Sequence, residues 1–201
     1  VMDRIFTAIY EQKVWGDNAH KEYRGSSGGG SSIEYNRDAY IPFLQKFIKE
    51  RNIKTVVDLG CGDFRCGTQI YTPLDVQYHG YDVYQPMVAS NSKMFLPPKY
   101  RFTTMDFYAQ RATIETADLC ILKDVLQHWS KTHIETFLCD VVQSKKFRYI
   151  VITNCCRNAK EGVDIVDGAG RPLSSQQLPL RQFKPVTLLK YHTKEVCLIQ
   201  C

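Results

Sequence analysis

Asp124 and His128 stand four residues apart in the run KDVLQHW, Lys123 to Trp129, a spacing that brings two side chains to one face wherever the chain is helical. A histidine ionises near neutrality, and a carboxylate beside it can orient the ring or hold an ammonium group. A second run, VVDLGCGDF at 56–64, reads as a β-strand ending in a tight glycine turn. Gly60 and Gly62 lack side chains, so the backbone can turn sharply and a ligand can lie against it. Asp58 places a carboxylate where a cationic or hydroxylated group could be held. A dinucleotide-binding turn carries a third glycine three residues after the second. Here that position is Arg65, which weakens a nicotinamide or flavin reading.

The elements that must position these groups alternate in the manner of an α/β protein. Met2 to Trp15 has apolar residues at helical spacing and reads as a short amphipathic helix; GSSGGGSS, Gly25 to Ser32, is the one low-complexity segment. A helix is expected over 39–52, with Ile41, Leu44, Phe47 and Ile48 on one stripe, leading into a strand over 54–59. Helix 64–71, strand 77–81, helix 85–95 and strand 100–104 complete the first half, and strand 117–122, helix 131–144 and strand 148–153 begin the second. Ser130 can cap the helix that follows it, and Glu135 lies near enough to support its first turn. Residues 154–183 are rich in Gly, Pro, Gln and Ser with no helical period, which predicts a long loop. Residues 185–192 and 195–201 read as two strands joined by a tight turn at Thr193 and Lys194.

VVDLGCG resembles throughout the first motif of the class I S-adenosylmethionine (SAM) dependent methyltransferases: two hydrophobic residues, Asp, a hydrophobic residue, Gly, any residue, Gly. HGYDVY at 79–84 ends a second hydrophobic stretch with an acid, Asp82, twenty residues after Gly62. TTMDF at 103–107 is similar to the third motif, ADLCILKDVLQHW at 117–129 to the fourth, and RYIVITNCC at 148–156 supplies a fifth strand. The match runs from about Ile53 to Cys201, and elements in the right order are more specific than one glycine turn. The resemblance implies a Rossmann-like class I methyltransferase fold, a mainly parallel seven-stranded sheet with an antiparallel C-terminal strand pair and helices on both faces. It divides the chain into 1–52, N-terminal helices and a Gly/Ser-rich lid loop, and 53–201, the SAM-binding core, within one compact domain.

By that resemblance the cofactor is SAM, and the reaction moves its methyl group to an N or O atom of a small-molecule acceptor. Asp82 then grips the ribose hydroxyls and Asp106 lies near the adenine amino group. Asp58, Gly60, Cys61, Gly62, Val83, Phe107 and Lys123 complete the cofactor contacts, and Gly30 belongs to a lid whose backbone N–H groups cradle the methionyl carboxylate. Asp124 and His128 become the catalytic pair. Their spacing after the fourth strand resembles that of several small-molecule methyltransferases, phosphoethanolamine N-methyltransferases among them, in which the histidine helps activate the acceptor. Tyr10, Trp15, Trp129 and Asn154 are the expected acceptor contacts, since aromatic faces suit a cation or a flat molecule. Arg157, Arg171 and Arg181 in the long loop could instead bind an anionic substrate.

A chain of 201 residues can bury a substantial core as a single domain, and a 44% hydrophobic share with twelve tyrosines excludes a disordered chain. The net charge of +5 slightly favours an anionic partner but falls short of the basic footprint of most nucleic-acid binders. An RNA-modifying methyltransferase is therefore the second reading. It departs from the ribose 2′-O enzymes, whose Lys, Asp, Lys, Glu set has no placeable third and fourth members here. It also departs from the amino-directed enzymes, whose Asn or Asp, Pro, Pro, aromatic motif is replaced by KDVL. A catalytically silent SAM-binding partner subunit is the third reading, opposed by the intact Asp58, Asp82, Asp124 and His128. The longest apolar stretches are strand-sized and the amino end shows no signal pattern, so a cytoplasmic protein without a membrane partner is expected. Of eight cysteines, Cys120, Cys155 and Cys197 fall in core strands, which suggests reduced thiols, and no Cys/His spacing suits a metal.

Overall fold

The computed structural model describes residues 2–17 and 25–201. Three helices come first: α1 (Met2–Glu11), α2 (Ile33–Asn36) and α3 (Tyr40–Glu50). Strands and helices then alternate as β1 (Thr55–Leu59), α4 (Arg65–Tyr71), β2 (Gln77–Asp82), α5 (Gln85–Met94), β3 (Tyr100–Thr104), β4 (Ala117–Lys123), α6 (Lys131–Gln143) and β5 (Phe147–Cys155). The hairpin β6 (Val186–Tyr191) and β7 (Lys194–Gln200) closes the chain. The seven strands form one mixed sheet in which β7 alone runs antiparallel, the fold class the sequence implies. Two compact units divide it, one ending at Ala109 and the other beginning at Gln110. Among the described residues no helix is long and apolar enough to cross a membrane.

In the first unit β3, β2 and β1 pair in parallel, with Asp58 opposite Gly80 and Asp82 opposite Thr104. Val56, Val57 and Leu59 of β1 are all buried, the unbroken apolar pattern of a parallel strand covered on both faces. The helix expected over 2–15 stops at Glu11 because Lys13 turns left-handed (φ 55°). The Lys13 N–H then reaches the Tyr10 carbonyl and the Val14 N–H the Ile9 carbonyl, the paired closure of a Schellman end. Phe64 enters α4 at φ 58°, a costly conformation for a bulky residue. Its ring is held by Tyr78 at 4.7 Å, Phe95 and Phe102 at 5.0 Å, Tyr100 at 5.6 Å and Tyr71 at 6.2 Å, an aromatic cluster that offsets the backbone strain. A Cβ at Gly67 would come within 2.2 Å of that ring, so the cluster requires glycine there.

In the second unit the order is β4, β5, β7, β6, with Lys123 opposite Thr153 and Lys194 opposite Cys155. Ser130 caps α6 as expected, accepting the His133 N–H at 3.4 Å. The hairpin turn lies one residue earlier than the sequence suggests, at His192 and Thr193, with His192 at φ 50°. Lys194 therefore belongs to β7 and is buried rather than exposed at a turn.

Replacing Phe64 by alanine removes the ring that five aromatic neighbours pack against. The expected loss is about 3–5 kcal/mol of stability, read as a lowered urea midpoint.

Candidate functional site

The glycine turn is tied to the end of β2. The N–H groups of Gly60 and Cys61 both donate to the Tyr81 carbonyl, at 2.8 and 3.0 Å. Gly62, at φ 60°, donates its N–H to Oδ2 of Asp82 at 3.0 Å, and its carbonyl accepts from Asn91 Nδ2 at 3.0 Å. Oδ1 of Asp82 accepts from the Val83 N–H at 2.8 Å and the Tyr84 N–H at 3.3 Å. Burial raises the Asp82 carboxyl to about 6, although these three donors oppose the shift. Two carboxylate oxygens offer about four acceptor positions, so a sugar hydroxyl still fits beside the three backbone donors. The remaining acceptor position thus suits a ribose hydroxyl.

The Gly/Ser-rich loop packs on this turn. Ser27 Oγ accepts the Asp63 N–H at 2.9 Å while the Ser27 N–H donates to Asp63 Oδ2 at 3.3 Å. A Cβ at Gly62 would lie 2.1 Å from Ser27 Oγ, so the loop's seat needs glycine as much as any ligand would. Gly30 lies in a 3₁₀ turn, Gly29–Ser31, with its carbonyl bonded by Asn36 Nδ2 at 3.2 Å. Tyr10 is buried and stacks on Tyr84 at 4.9 Å; Trp15 stands edge-on to Tyr10 at 5.1 Å. Burial, and then the charge of Asp82, push the Tyr10 phenol well above its usual range, which sets these expected acceptor contacts beside the Asp82 segment. Asp58 holds a hydroxyl of the chain itself, the Tyr78 phenol at 2.7 Å. Asp106 accepts the Asp3 N–H at 3.2 Å and the Ala109 N–H at 3.0 Å, Phe107 is buried and Val83 half-buried. Burial, with Asp82 and Asp58 adding to it, keeps the Cys61 thiol protonated, consistent with packing.

In the second unit the helical basis for pairing Asp124 with His128 is absent. Asp124 leaves β4 at φ 59° because its N–H is held by the Thr153 carbonyl at 2.8 Å, and only a 3₁₀ turn, Leu126–His128, follows. Asp124 Oδ2 instead receives Lys123 Nζ at 2.8 Å and, on the same oxygen, Lys194 Nζ. All three side chains are nearly buried, at 12% exposure for Lys123, 13% for Asp124 and 5% for Lys194. Burial alone raises the Asp124 carboxyl, but the two ammonium groups outweigh it and hold it below the usual range. Burial, then Lys123, lowers Lys194 to about 8.

His128 is oriented by a carbonyl. Its Nδ1 lies 2.8 Å from the Ala169 oxygen, which can only accept, so Nδ1 carries the proton and Nε2 the lone pair. Burial lowers its pKa, against the Ala169 bond and the Asp124 charge, so the ring is neutral at pH 7. Asn154 and Gln127 staple the turn to β5: Asn154 Oδ1 accepts the Gln127 N–H at 3.2 Å, and Gln127 Oε1 accepts the Cys155 N–H at 2.7 Å. The long loop runs back along this turn, with Gly168 N–H on the His128 carbonyl and Arg171 N–H on that of Gln127. Asp167 and Asp164 take the Ser130 and Lys131 N–H groups, each at 2.7 Å, neutralising the start of α6.

Arg171, read from sequence as an anion hook, is buried and donates to the Trp129 carbonyl at 2.7 Å; Arg181 pairs with Glu161 at 3.4 Å. Trp129, expected at an acceptor wall, is packed in the core with 2% exposure, edge-on to Phe137 at 5.2 Å. Lys194 is the member of this buried cluster that motif reading missed. Its one local signal is the apolar run Val196–Ile199, two residues on, which marks a covered strand with Lys194 at its buried first position.

The fold is that of the class I SAM-dependent methyltransferases. No family model matches the chain, and no curated protein matches it in sequence. Among solved structures, human N-acetylserotonin methyltransferase in complex with SAM superposes with a TM-score of 0.67 at 14% identity, over 100% of this chain and 59% of that one. An O-methyltransferase family protein from Burkholderia thailandensis gives 0.56 at 13% identity, over 85% and 63%. Magnesium protoporphyrin IX methyltransferase from Synechocystis PCC 6803 with bound SAH gives 0.63 at 11% identity, over 98% of each chain. The chain thus spans about three fifths of the length of the first two.

Changing Asp124 to asparagine leaves two ammonium groups buried without their carboxylate. Stability at pH 7 is expected to fall by about 3–5 kcal/mol in urea unfolding. The deficit shrinks as the pH rises toward 8 and levels off above it, because Lys194, held at about 8 in the presence of Asp124, loses its proton at lower pH once that carboxylate is gone.

Proposed function

We propose that the chain is a SAM-dependent methyltransferase that transfers a methyl group to an N or O atom of a small-molecule acceptor. The observation that carries this reading is the buried Asp82 carboxylate bonded to the Gly62 N–H of the glycine turn, an arrangement suited to a ribose. The solved neighbours named with SAM or SAH support the same cofactor. When bound, SAM supplies an electrophilic methyl group on a sulfonium, and the protein's task is chiefly alignment.

Asp82 accepts from a ribose hydroxyl, with Val83, Asp106 and Phe107 toward the adenine. Gly60, Cys61, Gly62, Asp58 and Lys123 supply further contacts, and the loop that contains Gly30 covers the methionyl end. Tyr10 and Trp15 wall the Asp82 side. Neutral His128 accepts a hydrogen bond from the acceptor through Nε2 in place of the 3.4 Å contact from the Gln127 side-chain amide, and Asn154 keeps that turn in place. The protein is read as acting in the cytoplasm.

A second reading, an RNA-modifying enzyme, gains one observation. Lys123, Asp124 and Lys194 assemble three members of the Lys, Asp, Lys, Glu set. The fourth does not join them, since Glu195 lies on the opposite face of β7, accepting the Ser175 N–H at 2.6 Å. The small-molecule reading stays ahead.

Calorimetric titration tests the cofactor. SAM is expected to bind saturably, NAD not at all, and Asp82→Ala to weaken SAM; absence of SAM binding to the wild type would end the proposal. Because the Asp82 carboxyl is raised to about 6, it is protonated below that pH and loses the acceptor position left for a ribose hydroxyl. The SAM Kd should therefore rise about tenfold per unit below pH 6 in the wild type and stay flat in Asp82→Asn. His128→Ala is expected to lower kcat by about 10²-fold with the SAM Kd unchanged, and equal turnover would remove His128 from the mechanism.

A further inference from the structure

We infer that Gln127 is a positioning residue for His128: with the Ala169 carbonyl, its side-chain amide dictates that Nδ1 carries the ring proton and that Nε2 keeps the lone pair. The use of that lone pair by an acceptor rests on the methyltransferase reading, whereas the placing of the proton does not. His128 stands in the 3₁₀ turn Leu126–His128 after the end of β4, and Gln127 beside it is bonded at every polar group. Its N–H donates to Asn154 Oδ1 at 3.2 Å, its carbonyl accepts the Arg171 N–H at 3.0 Å, and its Oε1 accepts the Cys155 N–H at 2.7 Å. The last bond fixes the orientation of the amide. A backbone N–H can only donate, so the side-chain atom facing it must be the oxygen. The other end of the amide is then an obligate donor, and it lies 3.4 Å from Nε2 of His128.

On the other side of the ring, Nδ1 lies 2.8 Å from the Ala169 oxygen, an obligate acceptor. An acceptor at Nδ1 and a donor at Nε2 are compatible with one neutral tautomer only, the one protonated at Nδ1. Both contacts are anchored. The loop that supplies Ala169 also puts the Gly168 N–H on the His128 carbonyl at 2.8 Å and Arg171 Nη1 on the Trp129 carbonyl at 2.7 Å, so residues 168–171 hold three successive carbonyls of the turn. An imidazolium would set its second N–H against the amide N–H. Burial acts in the same direction, lowering the pKa of the ring. Of the charged groups around the turn, Asp124 after β4 favours the cation and Lys194 at the start of β7 opposes it. Asp164 and Asp167 of the long loop are engaged at the start of α6, and Arg171 on the Trp129 carbonyl. At 3.4 Å the amide contact is long for a hydrogen bond, so a better donor on a methyl acceptor can take its place at Nε2.

The test reads the ring rather than the reaction. In protein labelled with ¹⁵N at histidine, the ring resonances missing from His128→Gln belong to His128. At pH 7 the wild type is expected to show Nδ1 protonated and Nε2 without a proton. Gln127→Glu keeps the side-chain length and an oxygen for the Cys155 N–H, but it turns an ionised oxygen, which can only accept, toward Nε2. The ring is then expected to take a second proton, with its pKa raised by about 1 to 3 pH units. Gln127→Met fills the same space with neither donor nor oxygen, and should let the Nε2–H form appear beside the Nδ1–H form. A wild-type ring protonated at Nε2, a Gln127→Glu ring that stays neutral with the wild-type pKa, or a Gln127→Met ring with the Nδ1–H form alone each overturns the assignment. Calorimetric titration of the same proteins with SAM separates the two readings. A wild type that binds no SAM ends the methyltransferase proposal, while the ring spectra decide the role of Gln127 by themselves.

Discussion

A buried carboxylate must find donors, and the way Asp82 finds them organises the first unit. Its oxygens take the N–H groups of Gly62, Val83 and Tyr84, so the turn after β1 and the start of α5 are drawn to one point. The rest of the unit builds on that point. Gly60 and Cys61 close on the Tyr81 carbonyl, Asn91 holds the Gly62 carbonyl, and Ser27 seats the Gly/Ser-rich loop in the space that a Gly62 side chain would occupy. Tyr10 stacks above on Tyr84. Three backbone donors do not fully offset the loss of water, and the raised carboxyl marks a site that gains from further hydrogen-bond donors.

The second unit solves a different electrostatic problem. Asp124 is placed by backbone geometry, a left-handed residue whose N–H is held across to β5, and this directs its carboxylate to two lysines rather than to the histidine four residues on. His128 is positioned independently, by the Ala169 carbonyl of the long loop. That loop is itself ordered by Asp164 and Asp167 at the start of α6. Its arginines and acids thus serve the turn's geometry, and the buried charge of the unit sits in the Lys123, Asp124 and Lys194 cluster. Such a cluster is costly to bury.

Local patterns were enough for the elements and for the glycine turn. The alternation of helical and strand periods, the unbroken apolar run of β1, the cap at Ser130 and the acid after β2 each depend on neighbours a few residues away, so they can be read along the chain. The Asp124 and His128 spacing puts the two side chains on one face only where the chain is helical, and here a 3₁₀ turn follows Asp124. Whether that stretch is helical depends on the Thr153 carbonyl, which lies far along the chain.

The chain order of residues by itself determined the α/β alternation, the sheet class and the residues gathered at the glycine turn, because periodicity and turn chemistry are short-range properties. Only the tertiary structure decided that Trp129 and Arg171 are core groups, that Tyr10 belongs beside Asp82, and that Lys194 reaches Asp124 from seventy residues away. Burial and charge pairing set those outcomes. Both depend on which distant segments fold together, and a one-residue shift in the final hairpin turn is enough to turn an exposed lysine into a buried one.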